Sequence, residues 1–147
     1  MKARIKWVED VMFIGESGSG HTVVIDGSTD HGGRDLGMRP MELLLQGLGG
    51  CTAFDVILIL KKARQPVMDC VVEVEAKRAE TPPKVFTHIH IRFIVTGDGL
   101  SEKQVERAIN LSADKYCSAS IMLAKSAEIT HDYEIRNSVG EVVATHD

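Results

Sequence analysis

Residues 43–60, LLLQGLGGCTAFDVILIL, decide how this chain is read. The stretch is apolar enough for a buried helix, yet Gly47, Gly49 and Gly50 interrupt it directly before Cys51. Each glycine inside a helix costs roughly 1 kcal/mol relative to alanine, so three beside a thiol need a compensating role. On a helix, Gly47, Gly50, Cys51 and Phe54 share one face. A face without side chains lets another backbone come close. The sequence therefore predicts a helix over about residues 40–64, opened by Pro40 and closed off by Pro66. A second helix is expected to pack on its glycine face.

Outward from that helix the pattern changes period. Ala3, Ile5 and Trp7 alternate with Lys2, Arg4 and Lys6 as in a half-buried strand. VMFIG (11–15) and HTVVID (21–26) read as two more strands around the turn ESGSG. The glycine-rich loop GSTDHGGRDLGMRP (27–40) then leads to the helix. After it, CVVEVEAKRAE and VFTHIHIRFIVTG form a hairpin around TPPK, with Ile89, Ile91 and Phe93 inward. Pairing Glu80 with Val85 sets Glu75 opposite His90 and Glu73 opposite Arg92, both favourable charge pairs. The segment 100–117 opens with Ser101-x-x-Gln104, a capping-box pattern, and carries Val105, Ala108, Ile109, Ser112 and Tyr116 at helical spacing. It ends at Cys117, which the packing of the two helices would bring to Cys51. AEITHDYEIR reads as the last strand. With no repeat or linker, the expectation over 1–147 is one α+β domain, antiparallel sheets around a long cysteine-bearing helix.

Composition narrows the function. Apolar residues make up 44% and charged residues 26%, as in a soluble globular protein. Net charge is −4 and the cations are scattered, which argues against a nucleic-acid partner. The N-terminus lacks the apolar core of a secretory signal. Gln46, Asp55 and the glycines interrupt the best candidate for a membrane span, so the expectation is no membrane and a cytoplasmic location. Three cysteines without an export signal argue against a disulfide framework, and their spacing matches no zinc module. No cofactor and no resident metal are expected. His88 and His90 form His-x-His on one strand face, but without an evident third ligand they read better as partners of the acidic strand. Cys70, at the start of a strand, reads as a small buried hydrophobe.

RPMELLLQGLGGCTAFDV (39–56) followed by DKYCSAS (114–120) resembles the osmotically inducible protein C family, which includes the organic hydroperoxide resistance proteins. The resemblance covers nearly the whole chain. It implies an intertwined homodimer with active sites at the interface, reducing organic hydroperoxides with thiols. By that likeness Cys51 attacks the peroxide, Cys117 resolves the sulfenic acid, and an external dithiol regenerates both. Family peroxidases place a glutamate, which positions a catalytic arginine, where this chain has Met41. Glu42 is adjacent but points about 100° away around the helix. The second cysteine, commonly followed by proline, is followed here by Ser118.

An unperturbed thiol near pKa 8.5 is mostly protonated at neutral pH, and Cys51 lies too deep in its helix for the dipole to help. A cation is needed, and Arg39 or Arg34 in the preceding loop could supply it. Each reads equally well as a solvated loop residue, and Glu42 as a favourable charge in the first helical turn. Two other readings stay open: an apolar pocket around Met41, Leu44, Leu48 and Phe54 that binds an acyl ligand without turnover, and a structural dimer with inert cysteines.

Overall fold

The alternation of the central hairpin is the clearest link from sequence to structure. The structure, a computed structural model, describes residues 1–146. It contains two compact units, Met1–Leu45 and Gln46–Asp147. In the first, β1 (Ala3–Glu9), β2 (Met12–Ser17) and β3 (Thr22–Ile25) form an antiparallel meander in that order. The loop after β3 is polar because its backbone is tied to one carboxylate. Asp26 accepts N–H bonds from Gly27 at 2.8 Å and from Arg34 and Leu36 at 3.1 Å each. Those donors, Leu36 foremost, hold its pKa below the usual carboxylate value. A groove of about 350 Å³ lies on the sheet, lined by Ile5, Val23, Ile25 and Leu43 among others. β1 is exposed along its whole length in the single chain, not half-buried as its alternation predicts.

Helix α1 (Pro40–Lys62) runs from the first unit into the second. It ends two residues before the expected limit, with Arg64 in the left-handed region at φ 55°. Its buried residues, Leu48, Gly49, Thr52, Val56 and Leu60, recur mostly at four-residue spacing and form one stripe. The second unit continues with β4 (Asp69–Arg78), β5 (Phe86–Thr96), α2 (Glu102–Leu111), a π-helical turn (Ser112–Tyr116), α3 (Ser118–Leu123), β6 (Glu128–Arg136) and β7 (Val142–His146). The sheet order is β4-β5-β6-β7.

Glu75 lies opposite His90 and Glu73 opposite Arg92, the predicted register. A bulge between Lys77 and Arg78 shifts the pairing beyond it by one position, so Ala79, not Glu80, donates to the Val85 carbonyl. Ile89, Ile91 and Phe93 are buried, as their alternation requires. The expectation of antiparallel sheets fails for one pair, because β6 runs parallel to β5. The helical segment between them carries the chain back to the same end of the sheet, a crossover that forces parallel pairing. β7 was not anticipated: its five residues are mostly exposed and do not alternate. The capping box is also absent as a side-chain device. Ser101 holds the N-cap position, but its hydroxyl makes no capping bond, and its N–H donates to Gln65 Oε1 at 2.9 Å.

The glycines act differently from expectation. A Cβ built at Gly49 would stand 3.1 Å from Val74 Cγ2 of β4, whereas those at Gly47 and Gly50 would meet nothing within 4 Å. The close approach is helix to sheet at Gly49, on the buried stripe. Gly47 and Gly50 belong to the opposite, outward side with Phe54, where all three are exposed. Gly49→Leu is therefore expected to lower unfolding free energy by about 1–3 kcal/mol through overpacking, despite leucine's better helix propensity. An unchanged urea midpoint would overturn the close contact.

A count of uninterrupted apolar residues also underrated α1. Its best 18-residue window has a mean hydropathy of 1.9 and is 28% buried, so by length and composition the helix could cross a bilayer. Asp55, near its middle, is hydrogen-bonded within the second unit, and such a carboxylate is costly in lipid.

Candidate active site

The site lies where α1 meets the turn after α2, inside the second unit. Cys51 and Asp55, four positions apart, project from neighbouring places on α1, at the border between its buried stripe and its outward side. Thr52, next to Cys51, is buried and shares a 2.9 Å hydrogen bond with the Ser112 hydroxyl. Ser112 Oγ also donates to Asp55 Oδ2 at 3.3 Å. One serine therefore pins two α1 residues within the turn that follows the first cysteine. Ser112 is buried, as its helical spacing predicts, and the role of its hydroxyl is the part that spacing does not assign.

Cys117 reaches the site through a change of helical pitch. At Ser112 the backbone widens, and the Cys117 N–H bonds the Ser112 carbonyl five residues back at 2.8 Å. Such π turns insert one residue into a helix and recur at functional sites. The insertion changes the phase. Tyr116, expected inward, is half exposed, while Cys117 is fully buried. Cys117 does not end the second helix, as the sequence suggested, but has extended backbone as the N-cap of α3. Its sulfur accepts the Ser120 N–H at 3.4 Å, a capping bond made by a thiol.

Three potential donors result. Cys51 Sγ, Cys117 Sγ and an Asp55 carboxylate oxygen all lie within 4.8 Å of one another. Both cysteines are free thiols; Cys51 is half-buried and Cys117 buried. Burial pushes the Cys117 thiol above its ordinary pKa, the neighbouring Cys51 thiol adds to this, and Ser120 opposes it. Reaching a disulfide of about 2.05 Å needs the sulfurs to approach by less than about 3 Å, within the range of side-chain rotation.

Arg39, Arg34 and Glu42 belong to the first unit, and Cys70, His88 and His90 to the sheet of the second. Arg39 pairs with Asp35 at 3.3 Å and with Glu42 at 3.4 Å, and its N–H donates to Glu42 at 2.9 Å, all within the first unit. Arg34 is paired with Glu9. The carboxylate beside the thiols is Asp55, which the sequence reading counted only as an interruption of the apolar run. Its spacing of four from Cys51 was the available signal. Cys70 is half-buried on β4, its thiol pushed up to about 11 by burial and by Asp69. His88 and His90 pair with Glu128 and Asp132 of β6, at 3.2 and 3.4 Å, rather than with the expected acidic strand β4. Leu48 is buried while Phe54 is 66% exposed on another side of α1, so these two do not share one face.

The chain has relatives. Residues 31–132 match the family model described as OsmC-like protein. Protein YhfA of Escherichia coli K12 is 50% identical over 135 residues, covering 92% of this chain and 98% of that protein. A hypothetical protein from Aquifex aeolicus is 31% identical with a TM-score of 0.82, over 93% of this chain and 96% of that one. An organic hydroperoxide resistance protein OsmC from Legionella pneumophila shares the fold, with a TM-score of 0.67 at 15% identity, over 93% of this chain and 95% of that one. The family match spans the helix and both cysteines, and the chain belongs to the OsmC-like protein family.

Proposed function

We propose that this protein is a thiol peroxidase that reduces organic hydroperoxides with Cys51 and Cys117. The observation that carries the reading is the meeting of two free thiols within 4.8 Å although they lie far apart in sequence. The resistance to organic hydroperoxides named for the Legionella protein supports the choice of substrate class. Cys51 is the nucleophile because it is half-buried while Cys117 is fully buried. Its thiolate attacks the terminal peroxide oxygen, an S–O bond forms, the O–O bond breaks, and the alkoxide leaves as alcohol after taking a proton. The Cys117 thiolate then attacks the sulfenic sulfur, the S–S bond forms, the S–O bond breaks, and the hydroxide takes a proton from solvent to leave as water. An external dithiol returns both to thiols by exchange. Arg39 or Arg34 supplies the activating cation in this reading and Glu42 orients Arg39. Free thiols persist in the cytoplasm, which suits the scheme.

The outward side of α1 beside Cys51 carries Gly47, Gly50, Phe54 and Leu58, with no charge among them. Cumene hydroperoxide should therefore be consumed at least about tenfold faster than hydrogen peroxide, since each buried methylene contributes up to about 0.8 kcal/mol. Stopped-flow consumption with a dithiol present tests both reaction and selectivity, and equal rates would count against an apolar approach. The groove on the three-stranded sheet favours the second reading, a binder of a small apolar ligand. Absence of any thiol oxidation by hydroperoxide would leave that reading in place.

The proposed active form is a homodimer. Leu44, Phe54 and Leu58 of α1 are exposed in the single chain at 49%, 66% and 40%, and a helix apolar on nearly every side needs cover. Ile5 and Trp7 of β1 are likewise exposed. Sedimentation at micromolar concentration is expected to show two chains, and a stable folded monomer would overturn this.

A further inference from the structure

We propose that the reduced protein binds one thiophilic divalent cation, of the zinc or cobalt type, through Cys51, Cys117 and Asp55. Their three donor atoms lie within 4.8 Å of one another. A tetrahedral ion with bonds of about 2.3 Å to sulfur and about 2.0–2.2 Å to oxygen holds its donors roughly 3.4–3.8 Å apart. Closing the set therefore needs side-chain movements of about 1 Å. Two sulfurs and one carboxylate favour a soft or borderline ion over magnesium or calcium.

The surroundings suit a held ion. Ser112 Oγ donates to the Asp55 carboxylate at 3.3 Å, and the Ser120 N–H donates to Cys117 Sγ at 3.4 Å. Such outer hydrogen bonds orient ligands toward a metal. Half-buried Cys51 leaves an approach from solvent, and three protein ligands leave the fourth position to water. On binding, both thiols give their protons to solvent, three metal–ligand bonds form, and the site carries a net charge of −1. Bound metal and disulfide exclude each other, because each uses both sulfurs. The consequence for turnover rests on the peroxidase reading: a bound ion blocks attack on peroxide.

The test is anaerobic titration of the reduced protein with cobalt(II). One ion per chain is expected, with a sulfur-to-cobalt charge-transfer band in the near ultraviolet and intense visible bands of tetrahedral geometry. Zinc should bleach both, and magnesium or calcium should not. Asp55→Asn is expected to weaken binding at least tenfold while keeping the charge-transfer band. Cys51→Ser and Cys117→Ser should each lower the intensity of that band by about half or abolish it. Wild-type protein alkylated with N-ethylmaleimide should bind no cobalt, which keeps the test valid where a variant fails to fold. No band in the reduced protein, or an equal band after alkylation, would overturn the proposal. A band without hydroperoxide consumption supports the metal site and sinks the peroxidase reading; consumption without a band does the reverse.

Discussion

Cys51→Ser is expected to lower the rate of organic hydroperoxide consumption by at least about a thousandfold, or about 4 kcal/mol of barrier at 1.36 kcal/mol per tenfold. A hydroxyl in place of the thiol is not ionised near neutral pH and is a poor nucleophile toward a peroxide oxygen. The substitution removes one sulfur and leaves Thr52–Ser112 and Ser112–Asp55, the bonds that hold the site together. A loss of rate can therefore be assigned to chemistry rather than to collapse of the fold. Cys70→Ser is the matched control. Its thiol lies outside the Cys51–Cys117–Asp55 cluster and is pushed up to about 11, so it is mostly protonated at neutral pH. Its rate should stay within about twofold of wild type, the level set by surface or partly buried substitutions that touch no reacting group. Initial rates for both variants, with circular dichroism to confirm folding, decide the point. Full activity in Cys51→Ser removes the peroxidase reading as written.

The sequence could be read most securely where a local period dictates the structure. The two-residue alternation of β4 and β5 fixed both the inward residues and the charge pairs across them, because a slip of one would turn Ile89, Ile91 and Phe93 to solvent. The long helix was visible from Pro40 and its apolar run, and its likeness to the family placed Cys51 and Cys117 as a pair. What stayed hidden depends on contacts between distant segments. The π turn has no period of its own, so neither the phase change that exposes Tyr116 nor the place of Cys117 as the N-cap of α3 could be seen. The glycine cluster does mark a close approach, but not on the face that Gly47, Gly50 and Cys51 suggest. Only Gly49 makes the close approach, and that depends on where Val74 of β4 lies rather than on the helix alone. Asp55 was hidden for a related reason. A carboxylate within an apolar run reads as an interruption until Ser112, from another helix, is seen to bond it.

Cys117→Ser separates the two halves of the proposed cycle, and its effect should rival that of Cys51→Ser over many turnovers. The first oxidation should proceed, because Cys51 keeps its sulfur. Without a thiol within 4.8 Å, the sulfenic acid persists and a second equivalent of hydroperoxide converts it to sulfinic acid, which a dithiol does not reduce. Wild-type protein given one equivalent should instead show a Cys51–Cys117 disulfide with Cys70 free, by peptide mapping. The rate of that closure carries a pH signature. Burial raises the Cys117 pKa, so at neutral pH only a small fraction is thiolate. Below that pKa the thiolate fraction grows about tenfold per pH unit, and the sulfenate lifetime should shorten as pH rises. Oxidation of Cys51 removes its charge but not the burial of Cys117, which is the larger cause of the shift, so the dependence should survive the first step. Stopped-flow fluorescence or rapid quench between pH 6 and 9 measures it. A lifetime independent of pH would show that thiolate formation at Cys117 does not limit closure. A Cys51–Cys70 link would remove Cys117 as the resolving thiol and, with it, the π turn as the device that delivers it.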